Sequence, residues 1–224
     1  MEIEKKIEDF IKAMNFPILN KQIITEKSIK KIECEGGHVQ IDLQLGFYAE
    51  TIIEEFKNIL LDGLKDFTKN KININISTKV QSHKVQTGVE TLPNVKNIIA
   101  IASGKGGVGK STVAVNLALG LKALGAKVGL IDADLYGPSM PTMLGLQGQR
   151  PKVKDIYGQA KIEPLKYEGI QVMSMGFIIE PEQAVVLRGP RLAGVIRQFF
   201  NDCLWEQLDY MIVDLPPGTG DVQL

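Results

Sequence analysis

The chain has 224 residues, enough for one or two domains, with 26 basic and 26 acidic side chains. That balance argues against a broad nucleic-acid footprint, and no apolar run approaches the roughly 18 residues of a membrane span. Two cysteines without a framework suit a reducing compartment, and the charged start Met1-Glu2-Ile3-Glu4-Lys5-Lys6 is unlike a signal peptide, so a cytoplasmic protein with no nucleic-acid or membrane partner is expected.

In the front third, Ile3, Ile7, Phe10, Ile11 and Met14 recur at three- and four-residue steps, which predicts an amphipathic helix broken by Phe16-Pro17. Ile29 to Cys34, Gly36-Gly37 and His38 to Leu45 read as a β-hairpin, with alternating Val39, Ile41, Leu43 and Leu45. A second amphipathic helix is predicted over Ile52 to Phe67, and Lys71 to Val80 alternates Ile72, Ile74 and Ile76 as a closing strand. These elements predict a small α+β domain over 1–80. Residues 81–96 are polar, contain Gly88 and Pro93, and read as a linker. His38 and His83 have no metal-ligand spacing around them and receive no role.

The third segment, 97–224, carries the chemistry. Asn97 to Ala102 reads as a buried parallel strand, and Val113 to Leu124 as a helix stopped by Gly125. Between them lies Gly104-Lys105-Gly106-Gly107-Val108-Gly109-Lys110-Ser111-Thr112, which fits the phosphate-binding G-x-x-x-x-G-K-[ST] pattern. Glycines let successive backbone N–H groups turn inward onto phosphate, and the helix start adds partial positive charge. Lys110 is expected to reach the β- and γ-phosphates of ATP, with the Ser111 hydroxyl on Mg²⁺. A second apolar strand, Lys127 to Ile131, ends in Asp132-Ala133-Asp134; alternation sends both carboxylates the same way, toward the carboxyl edge where open α/β sheets bind ligands. Tyr210 to Val213 is another apolar strand ending in Asp214, the Walker B pattern, with Asp214 expected on Mg²⁺ or one of its waters. The Pro/Gly-rich run Leu215 to Asp221 follows as a candidate γ-phosphate switch. Phe199, Phe200, Leu204, Trp205 and Leu208 suit a helix packed on the sheet, with Cys203 inside it. The fold class is therefore α/β, a P-loop NTPase parallel sheet preceded by the small α+β domain.

Lys105, directly after the first glycine, makes the loop resemble those of the deviant-Walker-A ATPases, which include the MinD and ParA partitioning proteins and the Mrp/ApbC carriers. Asp132-Ala133-Asp134-Leu135-Tyr136-Gly137-Pro138-Ser139-Met140-Pro141, Asp214 to Asp221 and Arg188-Gly189-Pro190 resemble the Mrp/ApbC (Nbp35-like) iron–sulfur cluster carriers in particular. The resemblance implies an ATPase acting as a homodimer, in which Lys105 crosses the interface to the partner's nucleotide. It further implies that Asp134 orients the attacking water, that Asp132 supports the Mg²⁺ shell, and that [4Fe–4S] clusters pass from scaffold proteins to apo-proteins. The alternative is a MinD/ParA-like positioning ATPase that binds membrane or DNA. The front domain's helix–hairpin–helix–strand order resembles the MIP18-like domain of many Mrp proteins. Phe47-Tyr48-Ala49-Glu50 stands where that domain has its thiol motif, so a docking role is expected.

Family members hold the cluster through a C-x-x-C pair beyond the Walker B strand. Here the thiols are Cys34 and Cys203, in neither case part of such a pair, and both are expected to be packing residues, so no cluster ligand is assigned. Four apolar strands are counted after residue 97, fewer than such sheets generally contain. The chain is accordingly expected to be a fragment or truncated product, with its sheet incomplete at the C-terminus and the family's adenine contacts outside it.

Overall fold

The computed structural model describes residues 2–17, 19–82, 92–134, 137–179 and 189–218, apart from the side chains of 189–192. Internal contacts divide the chain into two units, Met1–Gln81 and Ser82–Leu224.

The first unit runs α1 (Glu2–Ala13), a 3-10 turn (Glu26–Ser28), β1 (Ile29–Glu35), β2 (His38–Leu45), α2 (Glu50–Leu64) and β3 (Lys71–Thr78). β1 and β2 form the expected antiparallel hairpin around Gly36-Gly37. α2 then returns the chain so that β3 pairs parallel to β2, giving sheet order β1-β2-β3. The period-2 pattern of β2 buries Val39, Ile41, Leu43 and Leu45 on one face. Against them pack Ile7 and Ile11 of α1 and Phe56, Leu60 and Leu64 of α2, with the Phe16 and Phe56 rings 4.8 Å apart. α2 ends three residues short of the predicted Phe67, whose ring instead lies 4.9 Å from Phe10.

In the second unit β4 (Val95–Ile101) leads to α3 (Lys110–Ala123), β5 (Val128–Asp132), the single turn α4 (Met140–Met143) and the hairpin strands β6 (Lys152–Ile156) and β7 (Gln159–Glu163). β8 (Leu165–Tyr167), β9 (Ile170–Ser174), the turn α5 (Met175–Ile178), α6 (Gly189–Asn201) and β10 (Leu208–Asp214) follow. The sheet order is β4-β10-β5-β9-β8, with the first four strands parallel and β8 antiparallel at one edge. β5 and β9 are buried at every position, as continuous apolar strands of a covered parallel sheet should be. α3 packs Ala114, Val115 and Ala118 toward the sheet. A second cluster gathers Ile131, Met173, Phe199, Trp205, Met211 and Val213, in which the buried Trp205 indole donates to the Phe199 carbonyl at 2.7 Å.

Three sequence expectations change. β4 begins at Val95 inside the expected linker and is an edge strand rather than a buried one: Ile98 is 48 % exposed. The aromatic run is not one helix; α6 stops at Asn201, Cys203 pairs with Ile162 in an isolated bridge, and Leu208 opens β10. The four predicted strands are joined in the sheet by β8, and the β6–β7 hairpin adds a separate ribbon. Residues 83–91 of the expected linker, Leu135-Tyr136, Arg188 and Thr219 to Leu224 lie outside the described residues.

Candidate nucleotide site

β10 is inserted between β4 and β5, although it follows both in sequence. This crossover places four strand ends in register: Asp214 pairs with Ile101 on one side and with Asp132 on the other, and Asp132 in turn pairs with Ser174 of β9. Everything that leaves the carboxyl ends of these strands must pass the same crevice, the usual ligand position in open α/β sheets.

The glycine loop leaves β4 and enters α3 with Gly107 at φ 72° and Gly109 at φ 87°, a left-handed backbone that side chains with a Cβ rarely adopt. No heavy atom comes within 4 Å of a Cβ built on Gly104, Gly106, Gly107 or Gly109. The segment after β10 runs beside this loop, with Leu215 N–H donating to the Ile101 carbonyl and Gly218 N–H to that of Ser103, each at 3.0 Å. Together they border a cavity of about 430 Å³ lined by Ser103, Gly106, Gly107, Gly109, Lys110, Ser111 and Thr112 from one side. Asp134, Gly137, Ser139, Met143 and Pro217 line the other.

Lys110 is buried at the floor, its ammonium 2.5 Å from Asp214 Oδ1 and 4.0 Å from Asp134 Oδ2. The Ser111 hydroxyl donates to Asp214 Oδ2 at 2.5 Å. Both oxygens of the fully buried Asp214 are thus engaged by the two residues that close the glycine motif. Asp134 accepts the Gly137 N–H at 3.2 Å and keeps its other oxygen toward Lys110. A positive group ringed by carboxylates and a hydroxyl, beneath a cradle of backbone N–H donors, suits a phosphate chain with an oxygen-ligated cation.

Asp132 lies elsewhere than expected. Its carboxylate does not line the cavity; it accepts from Met140 N–H at 3.1 Å, Ser174 Oγ at 2.9 Å and Asp134 N–H at 3.2 Å. Ser174 Oγ in turn accepts the Gly176 N–H at 3.0 Å. Burial pushes the Asp132 carboxyl up to about 6, and the three donors oppose that rise. Asp132 therefore ties Asp134 and Met140 to the β9–α5 corner, and its carboxylate is not on the cavity wall where the expected Mg²⁺-shell role would put it. Lys105 and Val108 are exposed and border no part of the cavity. Pro217 belongs to the expected 215–221 switch run, whereas Met143 and Ser174 carry no mark in the sequence; Ser139 stands inside the 132–141 motif, but nothing in its spacing marks it as a site residue.

The two thiols lie in different units. Burial pushes the Cys203 thiol up to about 12 and raises that of Cys34 as well, which disfavours the thiolate a metal requires. Among the described residues no three His, Cys, Asp or Glu side chains cluster to hold a metal ion, and no helix is long and apolar enough to cross a membrane.

The chain is 41 % identical over 222 residues to the iron–sulfur cluster carrier protein of Haemophilus influenzae, covering 99 % of this chain and 59 % of the relative. It is 43 % identical over 220 residues to the carrier of Synechocystis, covering 96 % and 61 %. The chain thus spans about three fifths of the length of these curated relatives. Among solved structures, a nucleotide-binding protein from Archaeoglobus fulgidus in complex with ADP is 42 % identical, with a TM-score of 0.49, over 58 % of this chain and 49 % of that one. The family described as ParA, NUBPL iron-transfer P-loop NTPase, matches residues 94–224, which cover the cradle, the Lys110–Asp214–Ser111 group and the Asp132 clamp, and the chain belongs to this family.

Proposed function

We propose that the chain is the nucleotide-driven part of a cytoplasmic iron–sulfur cluster carrier, which binds and hydrolyses ATP as a homodimer and passes [4Fe–4S] clusters from scaffold proteins to apo-proteins. The observation that carries the nucleotide half is the Lys110–Asp214–Ser111 group under the glycine cradle. The carrier half rests on the family and on relatives that bear the carrier name at about 40 % identity. The same relatives favour it over a positioning ATPase.

Each residue then has a task. The backbone N–H groups of 104–112 cradle the β- and γ-phosphates, and Lys110, released from Asp214, turns its ammonium to them. Ser111 and Asp214 supply hard oxygen donors fit to hold Mg²⁺. When bound, that ion would neutralise charge on the phosphate oxygens. Asp134 orients the attacking water, a role supported by its carboxylate lining the cavity 4.0 Å from Lys110, while Asp132 holds the Asp134 backbone N–H. Exposed Lys105 serves the partner's nucleotide, where a second cation stabilises transition-state charge as an arginine finger does. The cluster is cargo, and Cys34 and Cys203 do not hold it. The first unit, 1–80, is a docking module.

Phosphate release from ATP tests the reading. Lys110→Ala should reduce it to the uncatalysed level, and turnover by that variant within twofold of the unsubstituted protein would sink the assignment.

A further inference from the structure

Among the described residues, two buried side-chain polar atoms have no hydrogen-bond partner: Thr78 Oγ1, in the first unit, and Ser139 Oγ, which belongs to a residue lining the nucleotide cavity. Buried hydroxyls are nearly always paired, so an orphan at a functional cavity calls for a partner from outside the chain.

Several nearby groups among the described residues are already engaged. Ser139 precedes α4, a position where serine commonly accepts a backbone N–H, yet its side chain makes no such bond. The Met140 N–H is already given to Asp132, and Pro141, the next residue of the turn, has no N–H to give. Its own carbonyl is taken by Met143 N–H at 2.9 Å. The other serine hydroxyls of the cavity are occupied: Ser103 donates to the Lys105 carbonyl and Ser111 to Asp214. Ser139 is therefore held through its carbonyl and the adjoining Met140 N–H, while its hydroxyl can turn about the Cα–Cβ bond without breaking either bond.

Its position selects the ligand group. Ser139 lines the cavity together with Asp134, and Asp134 Oδ2 is 4.0 Å from the Lys110 ammonium, the end of the cavity where the outermost phosphate belongs. We infer that the Ser139 hydroxyl donates a hydrogen bond to the terminal phosphoryl group of a nucleoside triphosphate, and so helps the site tell triphosphate from diphosphate. The inference rests on the nucleotide-binding reading above. A donor of this kind is buried without a partner when only a diphosphate is bound and is satisfied by the triphosphate, so the discrimination comes from the same side chain in both states.

Titration calorimetry of the full chain with Mg²⁺ and either ADP or the β,γ-imido analogue of ATP tests this. Ser139→Ala should weaken the analogue about tenfold and leave ADP within twofold, and Ser139→Thr, which keeps the hydroxyl, should restore the analogue to within threefold. Ser139→Gly serves as a second hydroxyl-free variant should the alanine chain not fold. Analogue affinity unchanged in the hydroxyl-free variants, with the unsubstituted chain binding both nucleotides, overturns the role of Ser139 alone. Equal loss of ADP and analogue also overturns it, because the contact would then lie at an inner phosphate. Failure of the unsubstituted chain to bind either nucleotide overturns this inference together with the nucleotide reading.

Discussion

Lys110 and Asp214, 104 residues apart, meet at 2.5 Å in the interior, with the Ser111 hydroxyl on the second carboxylate oxygen. The pairing comes from the strand order. β10 lies between β4 and β5, so the carboxylate that ends β10 rises directly beside the lysine that opens α3.

A buried charge deprived of its partner costs more than the pair contributes, about 3–5 kcal/mol against a small net gain. Lys110→Met should therefore lower the unfolding free energy of the second unit by about 3 kcal/mol, because Asp214 is left with Ser111 alone. Adding Asp214→Asn should recover most of that loss, although neither variant can act on ATP. Urea denaturation of the two single variants and the double variant measures the coupling. Strictly additive losses would show that the two side chains are not energetically joined.

Asp132 gives stability a pH dependence of unusual sign for a carboxylate. Its folded pKa, about 6, lies above the ordinary 3.8, so the folded protein holds the proton more tightly than the unfolded one. The contribution is fully present below about pH 4 and is lost as pH rises to 6, amounting to roughly 3 kcal/mol by linkage for a two-unit shift. Asp132→Asn should remove this slope from urea midpoints taken between pH 4.5 and 7. Ser174→Ala, which deletes one of the donors favouring the ionised form, should move the midpoint of the slope to higher pH. An unchanged pH profile in Asp132→Asn would mean that another group sets it.

The legible and illegible parts of this chain divide on physical grounds. Lys110, Ser111 and Asp214 were readable because a glycine loop and an apolar strand ending in a carboxylate each announce their chemistry locally. Whether Asp132 served the ligand or the scaffold was not readable: alternation aims both Asp132 and Asp134 at the sheet edge, and only the positions of Met140 and Ser174 decide that Asp132 is consumed by the fold. The exposure of β4 is illegible for a related reason, since an apolar run does not say whether its strand has a neighbour on both sides. The β6–β7 hairpin did carry a signal in Asp155-Ile156-Tyr157-Gly158, where Asp155 accepts the Gly158 N–H, but β6 is exposed along its length and β7 is half-buried only from Lys161 to Glu163.

Lys105 is exposed and absent from the lining of its own chain's cavity, whereas Asp134 is part of it. If Lys105 acts across a dimer, a Lys105→Ala chain and an Asp134→Ala chain are each inactive but complementary. One site of their heterodimer keeps both groups. Mixing the two should restore about a quarter of wild-type phosphate release when exchange is random, because half the dimers are mixed and each has one intact site. No recovery in a sample shown by mass to contain heterodimers would place Lys105 in its own chain's site.

The thiols set a limit on what residues 1–224 hold by themselves. Four thiolates are the usual requirement of a [4Fe–4S] cluster, while Cys34 and Cys203 sit in different units and are both biased toward the protonated form. Cys203 is also buried in the core beside Trp205 and Phe199, where release to a metal would require opening the packing around α6. Anaerobic reconstitution of the 224-residue chain with iron and sulfide should therefore leave no stable cluster after desalting, with visible absorption no higher than in a Cys34→Ser, Cys203→Ser control. Stoichiometric iron and sulfide that survive desalting, and disappear in Cys34→Ser, would instead assign cluster binding to the first unit and to the half-buried thiol at the end of β1.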